Sequence, residues 1–209
     1  MEAARISDLL SPFLGELRLT DVQLGQISSY LALLLKWNAK TNLTAIRDPE
    51  EIVRRHFGES LFAARKLYGT EKSPGQTLID FGSGAGFPGI PIKVLFPGLQ
   101  MTLIESQNKK ATFLREVIRS LRLKDIQVHI GRAEHSGLTA QTVTMRAVEK
   151  FEESLPVAAS LVEPRGRLAL LIAAGQTEKA RVLAPSIQWG EPMKIPSSEQ
   201  RVLLLGNKN

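Results

Sequence analysis

Thr77-Leu78-Ile79-Asp80-Phe81 runs directly into Gly82-Ser83-Gly84-Ala85-Gly86-Phe87-Pro88-Gly89. A short apolar strand ending in an acid, then four glycines within eight residues, lets the main chain pass very close to a ligand. Glycine puts no side chain in the way and tolerates positive φ. The stretch therefore predicts a nucleotide or nucleoside pocket. Read from Gly84, the segment Gly84 to Gly89 has the dinucleotide spacing G-x-G-x-x-G, and Glu105 lies about 20 residues further on, where a ribose-binding acid is expected. Read from Asp80, the same residues form D-x-G-x-G-x-G, a loop suited to S-adenosyl-L-methionine, which has no pyrophosphate. The Asp80 carboxylate can then meet the ligand's ammonium group, whereas a phosphate site prefers helix N–H groups with no carboxylate beside them. Asp80 favours the zwitterionic ligand.

Beyond Gln76, short apolar runs alternate with amphipathic stretches, the pattern of a largely parallel sheet covered on both faces. Strands are expected at 77–81, 101–105, 126–130, 141–145, 167–173, about 187–191 and 201–205, and helices near 89–96, 108–121, 152–162 and 176–184. The last two strands, joined through Glu191 to Ser198, read as an antiparallel hairpin. Residues 1 to about 70 read as helical. Thr20 to Gln23 has the form of a capping box, and Asp48-Pro49-Glu50-Glu51 supplies an N-cap, a proline at the first helical position and acids in the first turn. Glu71 to Gly75 reads as a linker. The expected organisation is an N-terminal helical extension over 1–75 and a nucleotide-type α/β domain over 76–209.

The chain has 209 residues, 43% of them hydrophobic, no cysteine, a net charge of +6 and a pI near 9.7. That is ample for one α/β domain with an added element, and short for a two-domain dehydrogenase with a second mononucleotide half. No signal-peptide pattern or long apolar span is evident, so a soluble, cytoplasmic, monomeric protein without membrane contact is expected. Without cysteine there is no thiolate for attack on a pyrimidine ring. His56, His129 and His135 lack metal-ligand spacing, so no metal is expected. The basic balance favours a polyanionic partner. Arg115, Arg119 and Arg122 recur at helical spacing beside the apolar stripe Leu114, Val117, Ile118 and Leu121, which makes them RNA-binding candidates or a solvated face. Arg54, Arg55 and His56 are further candidates, although His56 equally suits a hydrogen-bonded core position. Tyr30 and Trp37 fit the core.

Ligands of open α/β sheets bind beyond the carboxyl ends of the strands. The residues there are Asp80, Gly82 and Gly84 after the first strand, Glu105 after the second, Arg132-Ala133-Glu134 after the third and Arg146 after the fourth. Glu105 can accept both ribose hydroxyls. The chain has no Pro-Pro, the dipeptide found at the fourth strand of many enzymes that methylate exocyclic amines. A ring nitrogen with a free lone pair, such as guanine N7, needs neither thiolate nor prior deprotonation, so positioning would dominate over acid–base chemistry.

Lys36-Trp37-Asn38, Asn42-Leu43-Thr44, Arg47-Asp48-Pro49, Arg55-His56, the stretch Asp80 to Pro91 and Arg146-Ala147 together resemble the bacterial 16S ribosomal RNA guanine-N7 methyltransferases, also called glucose-inhibited division protein B. The resemblance covers nearly the whole chain. It implies a seven-stranded Rossmann-like S-adenosylmethionine-dependent methyltransferase fold with an N-terminal helical extension, acting on 16S rRNA in the 30S subunit. It also implies that Gly82, Phe87, Ala133, Glu134 and Arg146 line the S-adenosyl-L-methionine site with Glu105 as the ribose acid. Two positions depart from the family pattern: Glu59 stands where many relatives have aspartate, and Ala174 where many have lysine. The loss of that lysine leaves Arg146 as the preferred cation near the acceptor, or as a structural arginine paired with Asp80. Methylation of a small molecule, for which the basic helix face would be incidental, and a nicotinamide-binding regulator built on Gly84 to Gly89 are the competing functions.

Overall fold

The computed structural model describes residues 1–70 and 75–209, so most of the linker expected over Glu71–Gly75 lies outside the described residues. Five parallel strands form the body of the sheet: β1 (Thr77–Phe81), β2 (Gln100–Glu105), β3 (Ile126–Ile130), β4 (Ala140–Arg146) and β5 (Val162–Ala173). β6 (Ile187–Trp189) and β7 (Met193–Lys194) both pair antiparallel with β8 (Arg201–Lys208), which itself runs antiparallel to β5. The order is β3-β2-β1-β4-β5-β8-β6, with β7 on the same strand β8. The expected terminal hairpin is present, and its connection contributes the extra two-residue strand β7.

Alternation along β1 divides the core. Leu78 joins an apolar cluster on one face, and Ile79 and Phe81 join a second cluster on the other. The first face is covered by α1 (Ala3–Leu14), α2 (Asp21–Thr41), α4 (Glu59–Tyr68), α5 (Gly89–Leu95) and α6 (Asn108–Ser120). The second is covered by α7 (Phe151–Ser160) and α8 (Thr177–Leu183). The N-terminal helices thus share one core with the sheet. None of the described helices is long and apolar enough to cross a membrane.

Local chemistry sets the helix starts. The Thr20 side chain caps the Gln23 amide while Gln23 returns a bond to the Thr20 amide, a reciprocal capping box at the start of α2. Asp48 caps Glu51, with Pro49 opening α3 (Pro49–Ile52). The chain from Pro49 to Tyr68 stays helical, but its middle, Val53–Gly58, widens into a π turn. Such turns re-aim side chains and recur at functional sites. This one carries Arg54, Arg55 and His56. Gly58 closes it because a Cβ there would lie 2.6 Å from the Phe13 ring.

One predicted helix needs correction. α6 ends at Ser120, and Arg122 follows in the left-handed region with φ 52°. Arg115 and Arg119 are exposed on the helix, whereas Arg122 lies off it.

Candidate active site

A cleft of about 570 Å³ opens at the carboxyl ends of β1 to β4, where the strand order reverses between β1 and β4. Such switch points are where open α/β sheets bind ligands. One wall consists of the glycine loop, Phe81 to Ala85 and Phe87, with Glu105, Gln107 and the short turn Ala133–His135 contributing Ala133 and Glu134. The rest of the lining comes from Leu43, Thr44, His56 and Arg146 to Lys150, with Val148 packed over Gly82 and the His56 ring 4.9 Å from that of Phe87.

The loop leaves β1 through Gly82 and Gly84, at φ 64° and 59°. Ser83 caps the turn by donating to the Asp80 carbonyl at 2.9 Å. Glu105 accepts the Gly84 amide on Oε2 at 2.9 Å and the Gln107 amide on Oε1 at 2.8 Å. A carboxylate oxygen has two lone pairs, so each Glu105 oxygen keeps one for a diol in the cleft. The loop is braced from α2: the Tyr30 hydroxyl donates to the Ala85 carbonyl, and its ring stacks on Phe87 with centroids 5.2 Å apart and planes 8° from parallel. Tyr30 is a core residue, as expected, and also supports the loop.

Asp80 sits elsewhere than its predicted role requires. The β1–β4 register places Thr144 beside it, and Thr144 donates to Oδ1 at 2.8 Å. The Gly89 amide, at the start of α5, donates to Oδ2 at 3.2 Å. The side chain is fully buried and does not line the cleft. Direct contact with a ligand ammonium is therefore replaced by a structural task, pinning the glycine loop to the sheet. Burial raises the Asp80 pKa from 3.8 to about 6, with the Thr144 and Gly89 hydrogen bonds opposing the rise.

A native pKa above the unfolded value means that the folded state holds this proton more tightly. Ionised Asp80 therefore disfavours folding above pH 6, and this cost is relieved as pH falls from 6 to 4. Relative to Asp80→Asn, the wild type is expected to gain about 2 kcal/mol between pH 7 and pH 4.5, at about 1.4 kcal/mol per pKa unit. Paired urea titrations check this, and parallel pH dependences would contradict it.

Arg146 turns away from Asp80. Its Nε and Nη2 donate to Glu59 Oε2 at 3.1 and 3.0 Å, and Nη2 also reaches the Arg55 carbonyl at 3.1 Å. Glu59 meets Arg201 as well, at 2.9 Å. This carboxylate is buried and bridges two guanidiniums from β4 and β8. Burial lowers the Arg146 pKa, and the charge of Glu59 opposes that. The pairing expected with Asp80 is corrected to Glu59.

His56 is buried among these groups. Arg146 Nη2 lies 3.0 Å from its Nδ1, and Thr44 Oγ1 lies 2.7 Å from its Nε2. Desolvation, reinforced by Arg146, Arg55 and Arg201, lowers its pKa from 6.5 to about 2. The ring is neutral at physiological pH.

The structure thus brings Gly82, Gly84, Phe87, Glu105, Ala133, Glu134, Arg146 and His56 to one cleft. It leaves Arg54 and Arg55 on the outer helix surface, paired with Glu50 and Glu51 at 2.9 and 3.4 Å. Thr44, Gln107 and Lys110 also line the cleft without a role foreseen for them. Thr44 stood within Asn42-Leu43-Thr44, and its pairing with His56 is visible only in space. Ala174 lies on an exposed 3₁₀ turn, Ala174–Gln176, outside the cleft lining.

The family model described as rRNA small subunit methyltransferase G (GidB) matches residues 23–202. Among curated proteins, ribosomal RNA small subunit methyltransferase G of Chloroflexus aggregans is 38% identical over 203 residues, covering 91% of this chain and 84% of that protein. The protein of the same name from Roseiflexus sp. is 42% identical, covering 90% and 85%. The one from Xylella fastidiosa is 39% identical, covering 86% and 84%. Among solved structures, magnesium protoporphyrin IX methyltransferase from Synechocystis with bound SAM superposes with a TM-score of 0.67 at 14% identity, covering 86% of this chain and 97% of that one. A SAM-dependent methyltransferase from Aquifex aeolicus gives 0.62 at 15% identity, covering 81% and 98%. At such identities these two likenesses concern the fold.

Proposed function

Because this chain belongs to the rRNA small subunit methyltransferase G family, we propose that it transfers a methyl group from S-adenosyl-L-methionine to N7 of a guanine in 16S rRNA of the small ribosomal subunit. Such a substrate would place its work in the cytoplasm. The observation that carries the reading is the cleft at the β1/β4 switch point, lined by the glycine loop and Glu105.

The residues of the loop wall fit the donor. Gly82 and Gly84 expose main chain to the cleft, and Glu105 keeps a lone pair on each oxygen for a ribose diol while its other lone pairs hold Gly84 and Gln107 in place. Ala133 and Glu134 close the adenine end. S-adenosyl-L-methionine supplies a methyl carbon made electrophilic by the adjoining sulfonium.

The wall formed by Thr44, His56 and Arg146 fits an acceptor that needs no base. Both His56 nitrogens are engaged, and the ring is held neutral by burial and flanking guanidiniums. Arg146, fixed by Glu59, carries positive charge and is a hydrogen-bond donor only. A purine N7 presents its lone pair in the ring plane without losing a proton, which suits such a wall. Orientation then supplies the rate enhancement.

Incubation with donor labelled in the methyl group and small subunits lacking the modification tests the proposal. The expected result is 7-methylguanosine at one position of 16S RNA. Label on a different atom, in protein, or nowhere would overturn it. The exposed Arg115 and Arg119 are proposed to meet RNA phosphates. Charge reversal at both is expected to lower kcat/KM on subunits by about tenfold or more at low salt while adenosylhomocysteine affinity stays the same. Unchanged kcat/KM would make that helix face incidental and return weight to a small-molecule acceptor.

A further inference from the structure

We propose that Thr44 is the specificity-determining donor of the acceptor site, its hydroxyl hydrogen bonding to O6 of the target guanine through a direction fixed by Arg146 and His56. The proposal rests on the guanine-N7 reading above and adds to it the residue that recognises the base.

A guanidinium has no acceptor, and the two hydrogens of Arg146 Nη2 are shared among Glu59 Oε2, the Arg55 carbonyl and His56 Nδ1, so at the 3.0 Å contact Nδ1 presents its lone pair and not an N–H. The ring is neutral, so its single N–H is on Nε2. At the 2.7 Å contact, Nε2 therefore donates to Thr44 Oγ1. The Ile46 amide donates to the same oxygen at 3.2 Å. Both lone pairs of the Thr44 hydroxyl are then occupied, and its own hydrogen has no protein acceptor among the described residues. Thr44 lines the cleft. Its hydroxyl is left as a donor, and both contacts in the chain Arg146 to His56 to Thr44 are oriented toward Thr44.

Guanine offers two neighbouring acceptors on one edge, N7 and O6, where adenine has N7 and an N6 amino donor. If the N7 lone pair faces the methyl group, O6 is the acceptor beside it. A hydroxyl that can only donate suits O6 and opposes an adenine amino group. A site built to satisfy a polar substrate atom rejects analogues more strongly than an apolar pocket does, because the buried group is left unpaired. His56 acts here as a positioning residue, since its tautomer aims Thr44 and its ring need not touch the substrate.

The test crosses a protein change with a base change. Wild type, Thr44→Val and Thr44→Ser are assayed on subunits reconstituted with either guanine or 2-aminopurine at the target position. The latter keeps N7 and the 2-amino group but lacks O6. Loss of one such bond is expected to lower kcat/KM by about tenfold to a hundredfold. The wild type should lose this on 2-aminopurine, and Thr44→Val should lose it on guanine. Thr44→Val should then treat the two bases alike, and Thr44→Ser should stay within about threefold of wild type, while adenosylhomocysteine affinity is unchanged throughout.

Equal wild-type rates on the two bases would overturn the proposal, and this comparison holds even if Thr44→Val fails to fold. Undiminished guanine methylation by a folded Thr44→Val would also overturn it, as would an equal loss in Thr44→Ser. A matching loss of adenosylhomocysteine affinity would assign the hydroxyl to the donor instead and overturn it too. If wild type methylates neither subunit, the guanine-N7 reading itself has failed, a result distinct from the others.

Discussion

Glu59→Gln is expected to destabilise the fold by about 3–5 kcal/mol, the range for removing one partner of a buried ion pair. Glu59 is 2% exposed and accepts from Arg146 Nε and Nη2 and from Arg201 Nε. Glutamine keeps the shape, but it loses the charge and turns an amide N–H₂ toward a guanidinium that can only donate. Arg146 and Arg201 are then left as two adjacent cations on β4 and β8 with no countercharge between them. The consequence reaches the cleft, because Glu59 fixes Arg146 and Arg146 fixes His56. Methyl transfer should fall with stability even at temperatures where the variant is folded. Glu59→Asp keeps the charge and withdraws it by one methylene, so a smaller loss of about 1–2 kcal/mol is expected. Urea unfolding measures both variants, and a loss below about 1 kcal/mol for Glu59→Gln would contradict the bridging role.

Gly86→Ala has the second large effect. Gly86 lies at φ 89°, and a Cβ there would stand 2.5 Å from the Tyr30 hydroxyl and 2.7 Å from Ile90 Cδ1. The hydroxyl has little freedom to move, because the Tyr30 ring is stacked on Phe87 and packed edge-on against Phe57 at 5.1 Å. Strain and overpacking together should cost about 2–4 kcal/mol. The loop yields before the core does, so adenosylhomocysteine affinity should fall by about tenfold to a hundredfold, a range set by a misplaced binding loop. Gly84→Ala is the contrast. Its Cβ meets only the Gly82 carbonyl, at 3.8 Å, and the cost is that of a left-handed residue, about 1–2 kcal/mol. Calorimetric titration measures the affinity lost in Gly86→Ala, urea unfolding measures the stability difference between the two variants, and equal stabilities would contradict the account of the Tyr30 brace.

The sheet was legible because buried parallel strands are unbroken apolar runs between glycine- and charge-rich connections. Thr77–Phe81 and Ile126–Ile130 have the predicted limits, and the helices at Gly89–Leu95 and Asn108–Ser120 differ from prediction by one residue. β5 starts five residues earlier than expected. Glu163-Pro164-Arg165-Gly166 reads as a turn, yet Arg165 takes φ 62° and a bulge opposite Ala140 to Thr142 lets the strand continue. The π turn at Val53–Gly58 was hidden for a different reason: one extra residue per turn leaves the apolar spacing nearly unchanged while redirecting His56.

At the site, main-chain features could be read from composition and side-chain partnerships could not. The glycines and Glu105 announce themselves by spacing after a strand. Arg146 gave no indication of its partner, since Glu59 lies 87 residues away and reaches it only through the packing of α4 against the sheet. The same holds for Asp80, whose neighbour Thr144 is fixed by strand register. An acid at a strand end therefore looked like a ligand group when it pins the loop.

The most direct test of the central claim, that the cleft between the glycine loop and the Thr44–His56–Arg146 wall is the methyl-donor site, is a crystal structure of the protein with adenosylhomocysteine. The account predicts the ligand along Gly82 and Gly84, its ribose hydroxyls on Glu105, its adenine beside Ala133 and Glu134, and its sulfur facing Thr44 and Arg146. A ligand bound anywhere else, or a cleft left empty at saturating concentration, would contradict it.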